Sequence, residues 1–155
     1  MDRCFYRKEY VYELIKNLKF CQQNKGLEIY AYVIMSNHLH MIARAKDQKL
    51  NILFGNFKSF TAKEFIKQIE SNSRESRKEW LMHMFKFYGR GNSQNEVYQF
   101  WQNGNHPTEL WNAEVIKQKI NYLHNNPVKQ GIVAKPEDYL YSSANEFSEI
   151  KVLEL

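Results

Sequence analysis

The sequence predicts an α+β protein whose helices pack on an antiparallel sheet. Two segments, residues 8–24 and residues 50–70, carry apolar side chains at helical spacing. Between these helices lie two runs rich in β-branched and aromatic residues, residues 27–35 and residues 38–44. Only two turn-forming residues separate the runs, and strands joined so closely pair as an antiparallel hairpin. A hairpin flanked by amphipathic helices is typical of an α+β sandwich.

The second half of the chain predicts fewer regular elements. A short strand is expected over residues 97–102, and a helix over residues 114–125 that ends before a proline. Residues 71–95 combine a polar start, a short apolar segment and a Gly-Arg-Gly-Asn-Ser run, which predicts a flexible insertion. Residues 128–155 are expected to form a C-terminal tail. With no internal repeat, residues 1–155 are expected to form a single domain.

Composition excludes several classes of protein. The chain has 22 Lys and Arg residues against 17 Asp and Glu residues, a net charge of +5 that is compatible with a polyanionic partner without requiring one. Cys4 and Cys21 are the two cysteines, and their spacing argues against a disulfide-stapled secreted domain or a thiolate zinc site. No apolar run is long enough for a signal peptide or a membrane helix, so we expect a cytoplasmic protein without membrane contact.

The tripeptide His38-Leu39-His40 is the sharpest local pattern in the chain. Residues two apart on a strand point to the same face, so both imidazoles should project together while Leu39 enters the opposite layer. Two imidazoles on one face form half of a divalent metal site. A polar strand end would give the same pattern, and from these residues alone both interpretations stay open.

The helix over residues 114–125 leads to a second candidate pair, Tyr122 and Asn126. Positions four apart lie on a common helix face, and this face borders the apolar stripe of the helix. A tyrosine at the border of a core is usually a packing residue, and an asparagine before proline usually ends a helix. These two residues by themselves therefore favour structural roles.

Several segments together resemble one protein family. Residues 32–40, YVIMSNHLH, are similar to the YVIMPNHVHL segment of the REP-associated tyrosine transposases and related insertion-sequence transposases, which share a His-hydrophobic-His (HUH) motif. Residues 120–133, INYLHNNPVKQGIV, resemble the family signature Y-I-x-x-N-P-V-(K/R)-x-G-(L/I)-V. Residues 136–144 resemble its P-E-D-Y-x-x-S-S-A ending, and residues 100–102 its W-Q strand. The resemblance covers residues 5–147.

This resemblance implies a role for each candidate residue. His38 and His40 would bind Mg²⁺ or Mn²⁺, Asn126 matches the position of the third ligand, and Tyr122 would attack a DNA phosphodiester. Neutral ligands leave the full charge of the ion to polarise the phosphoryl oxygens. A tyrosine needs such a nearby cation to become a phenolate nucleophile. The product would be a 5′-phosphotyrosine and a free 3′-hydroxyl, so rejoining would need no ATP.

The implied function is that of a metal-dependent transposase with a ferredoxin-like fold. Such an enzyme nicks and rejoins single-stranded, hairpin-containing DNA, and we expect it to work as a homodimer. Two alternatives belong to other classes. The first is a catalytically inactive DNA-binding remnant of such a transposase, and the second is a metal-dependent phosphoesterase that uses water, in which Tyr122 is merely structural.

One departure from the family pattern concerns the N-terminus. Members of the family usually begin with an apolar strand, which would be central in the sheet, whereas this chain starts at Met1 just before its first helix. Three consequences are open: an altered sheet, a strand supplied by a partner chain, or a truncated remnant.

Basic side chains suggest where DNA could be held. We expect a phosphate-binding surface formed by Lys58, Lys63, Lys67 and Arg90. Acidic residues are interspersed with them, so an ordinary solvated face explains these four equally well. Structural or surface roles are expected for the remaining candidates, which are His83, His106, His124, Tyr139 and Tyr141.

Overall fold

The computed structural model describes residues 5, 7–47, 49–90, 97–102 and 108–154. The chain divides into two compact units. The sheet unit comprises Asp2–Leu53 and His106–Leu155, and the helical unit comprises Phe54–Asn105 with Met1. Compact units within one chain are not necessarily domains that fold independently. That residues 1–155 form a single domain therefore stays a prediction.

The structure confirms the α+β fold class. In chain order the elements are α1 (Lys8–Asn24), β1 (Leu27–Ile34), β2 (Leu39–Ala45), α2 (Leu50–Ser71), α3 (Lys78–Gly89), α4 (Ala113–His124), α5 (Asn126–Lys129) and a 3-10 turn at Pro136–Asp138. The described ranges hold one sheet, formed by the two strands of the predicted hairpin. The helices predicted before and after the hairpin, and the one before the proline, are also present. In those same ranges, no helix is long and apolar enough to cross a membrane.

Helix α1 packs on β1. Its apolar stripe is buried, with Leu14 and Leu18 completely inaccessible to solvent. The helix ends at Asn24, two residues before Gly26, which has φ +66°. A Cβ atom at this position would lie 2.9 Å from Asp47 Oδ2, the end of a flexible side chain that can move, so it is the backbone conformation that favours glycine. The turn at Gly26 sends the chain from the helix directly into β1.

The register of the hairpin determines which side chains share a face. Val33 pairs with His40, and Ala31 pairs with Ile42. Directly opposite residues of an antiparallel pair point to the same side of the sheet. His40 therefore shares its face with the three apolar side chains. His38 precedes His40 by two residues, so it belongs to the same side.

Helix α4 covers this histidine-bearing face. Leu123 is 4% exposed and packs with Ala31, Val33 and Met35 of the sheet unit, while Ile120 packs at the border of this cluster. The histidines and the last turns of α4 are consequently on the same side of β1.

Replacing Leu123 with alanine is expected to lower the free energy of unfolding by about 2–5 kcal/mol, because the change opens a cavity between α4 and β1. Chemical denaturation of the purified chain measures this loss. Leu140 is 47% exposed, so Leu140→Ala should stay within about 0.5 kcal/mol of wild type. Equal effects of the two changes would contradict the packing described for Leu123.

The edge of β1 opposite β2 is met by the chain's own C-terminal tail. Three backbone hydrogen bonds join them: Ile34 N–H to Tyr141 O (2.9 Å), Ser143 N–H to Tyr32 O (3.0 Å) and Leu153 N–H to Ile29 O (2.8 Å). The Tyr139 hydroxyl also donates to Ile34 O at 2.8 Å. The C-terminal tail therefore covers this edge of β1.

The predicted strand over residues 97–102 is wrong. These residues have an irregular backbone. The Phe100 ring stacks on Phe65 with centroids 4.8 Å apart, and Trp101 Nε1–H donates to Thr61 Oγ1 at 2.9 Å. Among the described residues of the helical unit there is no strand to pair with this segment. Its aromatic side chains therefore pack on α2 instead.

The span predicted as a flexible insertion, residues 71–95, contains helix α3. Leu81 and Phe85, one helical turn apart, are its buried residues together with Gly89. The sequence did not predict this helix because large apolar side chains also occupy its exposed side, and they obscure the helical period. Residues 91–96 lie outside the described residues.

Candidate metal and tyrosine site

His38 and His40 lie side by side at the turn end of the hairpin. Their ring centroids are 4.6 Å apart in an edge-on arrangement; His38 is partly buried, whereas His40 is exposed. His38 Nδ1 lies 2.6 Å from Asn37 Oδ1. Since an amide oxygen can only accept, His38 Nδ1 carries the hydrogen and Nε2 keeps its lone pair. Asn37 thus orients His38 in a tautomer that can bind a metal ion.

Desolvation favours the neutral form of both imidazoles. Desolvation lowers the pKa of His38, and the neighbouring His40 lowers it further. Desolvation alone lowers the pKa of His40. A neutral imidazole is the form that binds a metal ion. The surroundings of the pair therefore favour the neutral form of the imidazoles, which binds a metal ion, and no described carboxylate opposes this effect.

Both imidazoles are expected to titrate below 6.5, the ordinary pKa of histidine, because burial disfavours the charged ring. Near pH 6.5 the unfolded chain then binds more protons than the folded chain, so the free energy of unfolding falls as the pH decreases through this range. Imidazole NMR of the metal-free protein measures the two midpoints. The fall in stability should be smaller for His40→Gln, and midpoints at or above 6.5 would contradict the burial argument.

Asn126 is buried and lies just past the end of α4, as the first residue of α5. Its Nδ2 donates to Tyr122 O at 3.2 Å and to Leu123 O at 3.1 Å. Because both partners are carbonyl oxygens, they fix the orientation of the amide. Asn126 Oδ1 has no hydrogen-bond partner among the described residues. The amide oxygen is therefore the atom left to bind a ligand.

Tyr122 projects from the last turns of α4. The helix starts at a capped end, where the Asn112 side chain accepts a hydrogen bond from Glu114 N–H at 2.8 Å. Leu123 anchors the helix on β1, and the neighbouring Tyr122 side chain is 53% exposed. Its ring lies 4.3 Å from Lys129 Nζ. An exposed phenol on a firmly packed helix can reach a substrate as large as a DNA strand.

A metal site here would depend on the Asn126 amide. Within the ranges that the structure describes, no group of three or more His, Cys, Asp or Glu side chains could hold a metal ion. Two imidazoles and one amide oxygen form a neutral ligand set of the kind that leaves open positions for phosphate or water. His38 and His40 are brought together by the structure, and Asn126 is held at the end of the helix that packs on their face.

The remaining sequence candidates have structural contacts or lie elsewhere. His124 Nε2 is 2.8 Å from Ser143 Oγ, linking α4 to the C-terminal tail. Burial raises the pKa of Tyr139 to about 12, which makes this residue a poor nucleophile, and burial also raises the pKa of Tyr141. His83 is an exposed residue of α3, and His106 lies outside the described residues.

The four basic candidates belong to the helical unit and differ in availability. Lys58 Nζ donates to Gln102 O at 3.3 Å, and burial lowers the pKa of this lysine. Lys63, Lys67 and Arg90 are exposed. That any of the four contacts DNA stays a prediction.

Sequence reasoning missed two residues beside the candidate site, Asn37 and Lys129. The sequence predicts Asn37 only as a turn residue, although hydrogen-bonding partners commonly orient metal-binding histidines. Lys129 follows Tyr122 by seven residues, a spacing that in a continuous helix puts both on one face but about 10 Å apart along the axis. A helix that ends before the proline therefore gives no signal in the sequence that the two side chains meet.

Comparison with known proteins identifies the family of the chain. The family described as "Transposase IS200 like" matches residues 3–126. This match covers well over half of the chain and includes His38, His40 and Tyr122, and it ends at Asn126. No curated protein and no solved structure matches. The chain belongs to the IS200-like transposase family.

Proposed function

We propose that this transposase is a metal-dependent, single-tyrosine HUH enzyme that nicks and rejoins single-stranded DNA. One observation carries the proposal: the hairpin register puts the histidine pair on the face of β1 that α4 covers. Tyr122 is next to Leu123, the residue that anchors this helix. The ligands and the nucleophile would then act on one phosphodiester. The proposed partner is single-stranded DNA that contains a hairpin, bound by a homodimer.

The residues fit a Mg²⁺ or Mn²⁺ ion held by His38, His40 and Asn126. Desolvation lowers the pKa of both imidazoles, which favours the neutral form that binds a metal ion. The amide nitrogen of Asn126 is engaged by two carbonyls, which leaves its oxygen as the donor atom. When bound, such an ion would polarise the phosphoryl oxygens and favour the phenolate form of a nearby tyrosine. Asn37 would hold His38 in the ligand tautomer.

The proposed chemical step exchanges one phosphodiester for another. The Tyr122 oxygen loses its proton and forms a bond to phosphorus, while the bond from phosphorus to the 3′-oxygen breaks. The 3′-oxygen takes up a proton, so the step consumes no net proton and no cofactor. The 5′-phosphate stays on Tyr122 until a 3′-hydroxyl attacks it and reverses the exchange. Helix α4 would contribute by presenting the phenol next to Leu123, the residue that anchors the helix on β1.

The product of this step provides the test. The purified chain is incubated with Mn²⁺ and a pool of 3′-labelled single-stranded oligonucleotides that carry a hairpin and randomised flanks. The label should become attached to the protein in a form that resists denaturing detergent. Trypsin should then release it on the peptide Ile120–Lys129, in which Tyr122 is the only hydroxyl-bearing side chain.

Two outcomes would contradict the proposal. An adduct on a different peptide would exclude Tyr122 as the nucleophile. Binding of the hairpin pool without any adduct would support the inactive DNA-binding remnant.

A further inference from the structure

The geometry around Tyr122 includes a cation that sequence analysis did not assign. Lys129, the last residue of α5, has its Nζ 4.3 Å from the centroid of the Tyr122 ring. An ammonium group within about 6 Å of a ring centroid is attracted to the negative face of the ring. Gly131 follows with φ +68°, and its N–H donates to Val128 O at 2.9 Å, which ends α5 directly after the lysine. The short helix and its glycine stop hold Lys129 against Tyr122.

Lys129 has no competing acidic partner among the described residues. Its side chain is exposed, and no carboxylate of the described ranges forms an ion pair with it. The ammonium therefore has a ring face on one side and solvent on the other. The N–H donors on the solvent side of the ammonium remain available for an anion.

We infer that Lys129 binds a phosphate of the DNA strand beside Tyr122, at the position where the tyrosine attacks. This inference rests on the proposed function, because it takes Tyr122 as the nucleophile. A phosphodiester repels an incoming oxygen nucleophile through its negative charge, and an adjacent ammonium reduces this repulsion. Contact with the ring favours the position of the ammonium next to Tyr122 over other positions of this exposed side chain. Lys129 is thus a catalytic residue that contacts the substrate directly, and not a residue that only supports the fold.

The experiment compares Lys129→Met, which removes the charge, with Lys129→Arg, which keeps it. Lys117 is an exposed lysine of α4, so Lys117→Met is the matched control. In single-turnover adduct formation, Lys129→Met should be slower by about tenfold, less than the hundredfold expected for a water-excluded donor because Lys129 is exposed. Lys129→Arg should retain most of the rate, and Lys117→Met all of it.

A second measurement does not depend on catalysis. In the Tyr122→Phe background, which keeps the ring, binding of the oligonucleotide pool is followed as the salt concentration rises. Loss of one phosphate contact should reduce the slope of log K against log salt by about 0.7 for single-stranded DNA. A residue that only supports the fold would change the thermal midpoint instead of this slope.

The outcomes separate this inference from the proposed function. An unchanged slope and an unchanged adduct rate in Lys129→Met would overturn the inference while the tyrosine mechanism stands. A reduced slope in a protein that forms no adduct would support the phosphate contact and reject the tyrosine mechanism. Absence of any DNA binding would overturn both.

Discussion

Replacement of Tyr122 by phenylalanine is expected to abolish the covalent protein–DNA adduct. The change removes one oxygen atom, the one that would form the bond to phosphorus, and keeps the ring. The Lys129 ammonium can still lie against the ring face, and the anchor at Leu123 is untouched. Any loss of the adduct is therefore chemical and not structural. Denaturing gels with the 3′-labelled pool measure the adduct.

Tyr12→Phe is the matched control for this experiment. Tyr12 is 47% exposed on α1, similar to the 53% exposure of Tyr122. The Tyr12→Phe variant should form the adduct at the wild-type level. Both variants should retain wild-type thermal stability. Strand cleavage that persists in Tyr122→Phe would favour the water-dependent phosphoesterase, since water would then be the nucleophile.

The second large effect is expected from the histidine pair. Replacing His38 and His40 together by alanine should weaken Mn²⁺ binding by more than about a hundredfold, because changes to residues that only orient a ligand already cost tenfold to a hundredfold. Neither ring is fully buried and neither belongs to the buried cluster around Leu123, so the fold should persist. Titration of free Mn²⁺ by electron paramagnetic resonance gives the affinity, and the adduct assay gives the functional loss.

Two controls make this result specific. His83→Ala removes an exposed imidazole of α3 and should leave the affinity unchanged. Asn126→Ala should also weaken Mn²⁺ binding, whereas Asn125→Ala should not, although Asn125 Nδ2 likewise donates to a carbonyl of α4. If the double histidine variant binds Mn²⁺ like wild type, the pair is only a polar strand end.

The hairpin could be predicted from the sequence because its signals are local. The β-branched and aromatic composition of β1 and β2, the two-residue turn and the two-residue spacing of His38 and His40 all depend on neighbours in the chain. Helix α4 was predictable for the same reason. Helix α3 was not, since exposed Trp80 and Phe87 give it apolar side chains on more than one side.

The prediction of a strand at residues 97–102 is wrong for a different reason. Its composition is that of a strand, but a strand needs a partner edge, and the described helical unit has none. Phe100 and Trp101 gain their burial from the side chains of Phe65 and Thr61 instead. Composition alone therefore did not determine the backbone conformation of this segment.

The sequence by itself determined the family, the fold class and the local pattern of every candidate residue. Only the tertiary structure decided that His40 shares a face with Val33 beneath Leu123, that Asn126 turns its amide nitrogen to α4, and that Lys129 lies against Tyr122. It also decided that the C-terminal tail meets the free edge of β1. These contacts join segments that are far apart in the chain or separated by a helix end. They depend on which surfaces pack together, and the hydrophobic period of a single segment does not predict this.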